Sequence, residues 1–359
     1  MTMKIIHCSD LHLDSPLGSV LPPEKAKIRN AELRAAFARL TQFAVREGVS
    51  AVLIAGDLFD SSYTSVLTAR FVAEQIRSAK EVTFFCLRGN HDESCDVFAD
   101  VEQPENLKTF GSQWESVRCG EVVITAMEPE EDGWLKMYDQ LTLDRNDMNI
   151  VMLHGQVSTQ PGTEQIALNL LKNKHIRYLA LGHLHSYQKA QLDMDGEFCY
   201  CGCLEGRGFD ECAEKGFVLL ETDGSTLKSR FVPFASRKLH EIFVDISSAE
   251  TAPQILSAMK QAAEGISTQD LVKFILTGTY TLQTQKDIPF LQTMLEQQFW
   301  CVRIKDESRL YIDHKTYAYD ISLKGEFVRS VMASNCTEEE KTRIITCGIR
   351  ALSGEEVLP

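Results

Sequence analysis

The 359-residue chain has no apolar run long enough to cross a bilayer. Met1-Thr2-Met3 also lacks the charged-then-apolar pattern of a secretory leader. These absences set aside membrane-spanning and exported classes and lead to the expectation of a cytoplasmic protein with no membrane partner. Positive charge is scarce: 37 Lys and Arg stand against 51 Asp and Glu, a net charge of −14. Most of the deficit falls in residues 1–235, where 23 basic side chains meet 34 acidic ones. Such a balance argues against strong DNA binding by this chain alone. Among the eleven cysteines, Cys199, Cys201 and Cys203 follow a C-x-C-x-C spacing, with Cys212 beyond, rather than the C-x-x-C of a zinc knuckle. They are read as buried thiols. Cys8 and Cys86 sit within strand patterns, which suits small hydrophobes in a reducing compartment.

Against this background the placement of histidine is informative. Residues 51–55 form an unbroken apolar run that ends in Gly56-Asp57-Leu58-Phe59-Asp60. A run apolar throughout predicts a parallel strand buried on both faces. Polar residues just past its C-terminal end lie where open α/β sheets place their sites. Four further stretches repeat the pattern, leading to Asp10-Leu11-His12, to Gly89-Asn90-His91-Asp92, to His154-Gly155 and to Gly182-His183-Leu184-His185. Five of the nine histidines therefore fall at predicted strand ends. One such histidine would be read as structural, but five by chance is implausible. Carboxylate, imidazole and amide donors without thiolate suit Mn²⁺, Fe or Zn²⁺, and octahedral geometry favours Mn²⁺. Asp57, central in the order, can offer one oxygen to each of two ions.

The set D-x-H, G-D-x-x-D, G-N-H-D, a lone H and G-H-x-H, in this order over residues 4–185, resembles the calcineurin-like metallophosphoesterases. Ser9-Asp10-Leu11-His12-Leu13 and Gly56-Asp57-Leu58-Phe59-Asp60 look more particularly like the SbcD-type DNA-repair nucleases, nearest their YhaO-like branch. The resemblance implies one metal on Asp10, His12, Asp57 and His185, and a second on Asp57, Asn90, His154 and His183. It further implies hydrolysis of phosphodiester bonds by a water activated between two divalent ions, probed most directly with Mn²⁺. His91 would contact the phosphate and protonate the leaving oxygen. Asp60 or Asp92 would orient His91. DNA is the implied substrate and a coiled-coil ATPase of the SbcC type an implied partner; family members often form homodimers. The alternative is a phosphatase or phosphodiesterase of small molecules or proteins.

The rest of the chain sets an expected architecture. Helices are predicted over residues 24–47 and 64–79, giving a βαβαβ start with right-handed crossovers. Alternating strands over 198–201, 217–220 and 227–232 suggest a second sheet. The expected whole is a four-layer α/β/β/α sandwich in residues 1–235, also the fold of the family it resembles. A small α+β cap domain would follow in 236–330, then a helical tail in 331–359, where Thr337 to Glu340 forms a capping box. For Arg207, in a Gly-rich turn, a phosphate contact and a salt bridge stand as alternatives. His7 is read as core.

Overall fold

The computed structural model describes residues 2–18, 21–60, 64–90, 101–130, 133–281, 284–311, 317 and 319–352. His91 and Asp92, with Cys95 and His314, lie outside the described residues. Two compact units make up the chain, Met1–Leu239 and His240–Pro359.

The first unit opens with β1 (Met3–Cys8), α1 (Pro23–Arg46), β2 (Ala51–Ala55), α2 (Val66–Ser78) and β3 (Thr83–Leu87). Then come β4 (Leu107–Thr109), β5 (Glu115–Cys119), β6 (Val122–Ala126), α3 (Gly133–Gln140) and β7 (Met148–His154). The small strands β8 (Gln156–Ser158) and β9 (Gln165–Ala167) precede α4 (Leu168–Leu171), β10 (Tyr178–Gly182) and β11 (Gln188–Gln191). The unit closes with β12 (Glu197–Tyr200), β13 (Gly216–Thr222) and β14 (Leu227–Pro233).

These strands form two six-stranded sheets, in the orders β14-β13-β1-β2-β3-β4 and β11-β12-β10-β7-β6-β5. Inside the first, β1 to β4 run parallel. Inside the second, β12, β10, β7 and β6 do the same. Both central strands, β2 and β7, are buried along their whole length, as an apolar run requires. Their side chains alternate between the two faces. Ile5, Leu53 and Phe85 of the first sheet meet Ile124, Ile150, Met152 and Tyr178 of the second in one core between the sheets. Each such side chain stabilises the fold by about 1.5–3 kcal/mol relative to exposure. On the outer face of the second sheet, Trp134 and Met137 of α3 and Leu171 of α4 cover Val151, Leu153, Leu179 and Leu181. On the outer face of the first, Phe43 of α1 packs edge-on to Phe217 of β13, ring centres 5.1 Å apart. The result is a four-layer α/β/β/α sandwich.

The sheet assignment of the late strands departs from the sequence expectation. Of the late strands, only β12 joins the second sheet, whereas β13 pairs antiparallel with β1 in the first and β14 pairs antiparallel with β13 at its edge. The strands carrying His154 and His183, β7 and β10, are neighbours in the second sheet. Alternation reports which face is buried but not which sheet a strand joins. Residues 166–171 form the end of a short strand followed by one helical turn.

In the second unit, β15 (Leu239–Asp245), β16 (Leu271–Thr277) and β18 (Cys301–Asp306) form a three-stranded sheet. The pair β17 (Thr279–Tyr280) and β19 (Arg309–Leu310) lies apart from it. Helices α5 (Ala252–Ala262) and α6 (Ile288–Glu296) bury Ile255, Met259, Leu291 and Leu295 against Val272, Phe274 and Leu276. Phe274 is therefore core. Helices α7 (Leu323–Met332) and α8 (Glu338–Leu352) pack through Val328, Val331, Ile345 and Ile349. Helix α7 runs across the boundary expected at residue 330. The capping box forms, with the Thr337 N–H on Glu340 Oε2 at 2.8 Å and the Glu340 N–H on Thr337 Oγ1 at 3.3 Å.

Candidate metal centre

The side chains singled out from the sequence converge because the parallel strands of both sheets end together. Asp10 and His12 follow β1, Asp57 follows β2, and Asn90 follows β3. His154 is the last residue of β7, and His183 and His185 follow β10. After their strands, the first two segments stay paired: the Asp10 N–H donates to Gly56 O (3.1 Å), and His12 N–H to Asp57 O (3.0 Å).

Four of these residues hold the left-handed backbone region that side chains avoid: Asp10 (φ 54°), His12 (φ 43°), Asp57 (φ 52°) and His183 (φ 104°). Each such conformation costs about 1–3 kcal/mol and persists where the surroundings impose it. Two glycines give the room. A Cβ on Gly89 would stand 2.1 Å from Asp57 Oδ1. One on Gly182 would stand 1.9 Å from Ala55 O and 2.8 Å from His154 Nδ1. Only a bare backbone permits these approaches.

The donors form two neighbouring groups, Asp10/His12/His185 and Asp10/Asp57/His154. Asp57 Oδ2 lies between two imidazoles, 3.5 Å from His12 Nε2 and 3.4 Å from His154 Nε2. His12 Nε2 and His185 Nε2 are 3.2 Å apart, and His185 Nε2 is 3.9 Å from Asp10 Oδ1. Asn90 Oδ1 is 3.0 Å from His154 Nε2. The His183 ring stands edge-on to that of His154, centres 5.5 Å apart, and its backbone N–H donates to Asp10 Oδ1 at 3.0 Å.

Hydrogen bonds at the far side of two rings assign their tautomers. His154 Nδ1 lies 2.9 Å from Ala55 O, so it carries the proton and Nε2 turns a lone pair toward Asp57 and Asn90 Oδ1. His185 Nδ1 lies 2.7 Å from Glu211 Oε1, which leaves its Nε2 facing His12 and Asp10. Lone pairs of oxygen and nitrogen thus converge at two points, an arrangement relieved by a proton or a cation. Burial works to lower the His154 pKa, but the hydrogen bond and charge of Asp57 and the charge of Asp10 raise it to about 9. Asp10, fully buried, is pushed up by desolvation against the pull of His154 and Ser9. His183 is lowered by burial and by the neighbouring His154. Hard oxygen and imidazole donors, gathered with no thiol among them, fit divalent cations.

The remaining sequence candidates fall as follows. The Asp60 N–H donates to Leu13 O at 3.2 Å, while its expected partner His91 is outside the described residues. Arg207 makes an ion pair with Glu211 at 3.3 Å, and its Nη2 is 3.1 Å from His185 Nδ1. Cys199, Cys201 and Cys203 are buried, free thiols. Burial pushes the Cys199 thiol up to about 12. Cys201 Sγ sits 3.1 Å from Ser9 Oγ, which in turn donates to Asp10. His7 is core, its Nδ1 2.9 Å from the Tyr178 hydroxyl.

Sequence reading missed Glu211. Burial opposes ionisation there, yet His185 and Arg207 bring its carboxyl down to about 2. It sits in an irregular loop, with no strand end or spacing to flag it. Beside Asn90 and His154 opens a cavity of about 530 Å³, lined also by Arg88, Glu128, Glu130, Trp134 and Glu164. Arg88 is engaged by Glu128, Nε to Oε2 at 2.6 Å.

A model of the calcineurin-like phosphoesterases matches residues 3–187. The chain is 25% identical over 341 residues to the "uncharacterized metallophosphoesterase YhaO" of Bacillus subtilis strain 168, spanning 85% of this chain and 82% of that protein. It is 23% identical over 421 aligned positions to the SbcD component of the nuclease SbcCD of Escherichia coli K12, spanning 98% and 99%. To the DNA double-strand break repair protein Mre11 of Sulfolobus acidocaldarius it is 23% identical over 314 residues, spanning 82% and 79%.

Proposed function

The chain belongs to the calcineurin-like phosphoesterases, and from that premise we propose a two-metal phosphodiesterase that cleaves DNA as an SbcD-type exo/endonuclease in DNA repair. The observation that carries the reading is Asp57 Oδ2, within 3.5 Å of one imidazole and 3.4 Å of another, each in a separate donor group. Asp10, His12, Asp57 and His185 would hold one divalent ion, and Asp57, Asn90, His154 and His183 the other. Bound cations, Mn²⁺ in the first instance, would supply Lewis acidity and neutralise the carboxylates where phosphate must bind. The chain's own residues then orient and protonate. Ala55 O fixes the His154 tautomer, and Asp10 holds the His183 backbone. His91, next to Asn90, is assigned the proton for the leaving oxygen, with Asp60 orienting it.

The DNA assignment draws on the SbcCD and Mre11 relatives, named for nuclease and break-repair roles. A net charge of −14 makes a basic partner, such as an SbcC-like ATPase, part of the proposal. The roles of nuclease domain, cap and tail for residues 1–235, 236–330 and 331–359 belong to it as well. No helix of the described residues is long and apolar enough to cross a membrane; a cytoplasmic location is proposed from composition.

One observation favours a second reading, hydrolysis of small or protein phosphoesters. The cavity beside Asn90 and His154 is lined by Glu128, Glu130 and Glu164, and Arg88 in its wall is paired with Glu128. Such a wall suits a short ester better than a long polyanion. The test is hydrolysis of end-labelled linear and closed-circular DNA beside bis-p-nitrophenyl phosphate, with Mn²⁺. Cleavage of both supports the nuclease. Cleavage of the small diester alone, with an SbcC-type ATPase also present, supports the second reading.

A further inference from the structure

We propose that Glu211 is the positioning residue of the metal centre, holding the His185 ring so that Nε2 is presented toward Asp10 and His12. The inference rests on the metallophosphoesterase reading above. Among the imidazoles of the two donor groups, His185 is the most exposed: its side chain is 26% accessible, against 0% for His12 and 6% for His154. Packing therefore fixes the other two rings, and something else must fix this one.

Glu211 is placed to do so. It is itself 5% exposed, and its two oxygens have divided tasks. Oε1 takes His185 Nδ1 at 2.7 Å. Oε2 accepts the Arg207 backbone N–H at 2.8 Å and lies 3.6 Å from Cys203 Sγ. With Oε2 tied to the backbone, Oε1 cannot swing away from the ring. The Arg207 guanidinium lies 3.1 and 3.4 Å from the two ring nitrogens, and Lys215 Nζ donates to the His185 carbonyl.

The loop carrying Glu211 is anchored from below. Glu205 Oε2 accepts from Arg29, Oε1 from Arg39 and from the Ser236 N–H, all at 2.8–2.9 Å. Arg29 also donates to Gly206 O at 2.8 Å. A carboxylate behind a ligating imidazole fixes its tautomer and strengthens it as a donor, and losing such a partner typically weakens metal binding about 10–100-fold.

The test is a Mn²⁺ titration of the full-length protein by calorimetry, wild type beside Glu211→Gln and Glu211→Asp. The wild type binds two ions. Expected for Glu211→Gln is a loss of about tenfold or more at one site, with the affinity of the other site unchanged. Glu211→Asp, with its carboxylate drawn back by one methylene, falls between the two, and it carries the test alone should the glutamine variant not fold. Unaltered affinity at both sites, or an equal loss at both, overturns the inference. A wild-type chain that binds no Mn²⁺ overturns the reading beneath it, and that failure is seen without any variant.

Discussion

His154 Nδ1 lies 2.9 Å from the carbonyl oxygen of Ala55, and this contact joins the two sheets at the candidate metal centre. His154 ends β7 of one sheet, and Ala55 ends β2 of the other. The carbonyl is backbone, held by its strand, so the ring it orients has little freedom. Gly182, with no side chain, leaves the gap through which they meet.

The same dependence on a missing side chain gives a first expectation at Gly89. A Cβ there would be 2.1 Å from Asp57 Oδ1 and 2.7 Å from Asp57 N. Gly89→Ala should displace Asp57, weaken Mn²⁺ binding at least tenfold and abolish turnover of bis-p-nitrophenyl phosphate. Gly265→Ala is the contrast, since nothing lies within 4 Å of its Cβ and only its φ of +83° is strained. It should lower stability by about 1–2 kcal/mol and leave activity intact. Equal activities in the two variants would remove the steric argument.

Arg29 is fully buried and bonded to Glu32 and Glu205. Removing one partner of a buried charge network leaves the others uncompensated. Arg29→Met should cost about 3–5 kcal/mol in urea unfolding. Lys27→Ala, which breaks an exposed pair with Glu24, should cost less than about 0.5 kcal/mol. Similar values for both would mean that water reaches the Arg29 site.

His7 supplies a pH dependence. Burial, partly offset by a backbone hydrogen bond at Leu181, lowers its pKa from 6.5 to about 3. Below pH 6.5 the unfolded chain takes up a proton that the folded chain refuses. This contribution to stability is therefore complete above pH 6.5 and is lost as pH falls toward 3. The slope approaches about 1.4 kcal/mol per pH unit. His7→Gln should flatten the fall in stability between pH 6 and 4 relative to wild type. Parallel curves would show that His7 is protonated when folded.

For His91 the proposed role separates binding from chemistry. His91→Gln should keep both Mn²⁺ ions and lose most cleavage, a drop of about 10²–10⁴-fold. Loss of a metal ion in this variant would make His91 a ligand and displace it from the proton-transfer role.

How far these features were legible differs by residue. Asp57 and its strand could be read directly, because residues 51–55 are apolar on both faces and so must be covered on both sides. His154 and His183 were legible as strand-end donors, yet their membership of a second sheet was not. Strand pairing is decided by long-range packing, and Leu53 and Ile150, which share one core, are far apart in sequence. Glu211 was invisible for a related reason: its partner His185 reaches it only through the fold. For Arg207 the sequence offers a phosphate contact or a salt bridge, while its pairing with Glu211 depends on a loop path that local residues do not specify.

If Asp57 is shared by two metal ions, counting bound Mn²⁺ is the most direct test. In equilibrium dialysis the wild-type chain should hold two ions. Asp57→Asn should hold at most one, with hydrolysis of bis-p-nitrophenyl phosphate abolished. Two tightly held ions and undiminished turnover in that variant would contradict the shared-carboxylate centre.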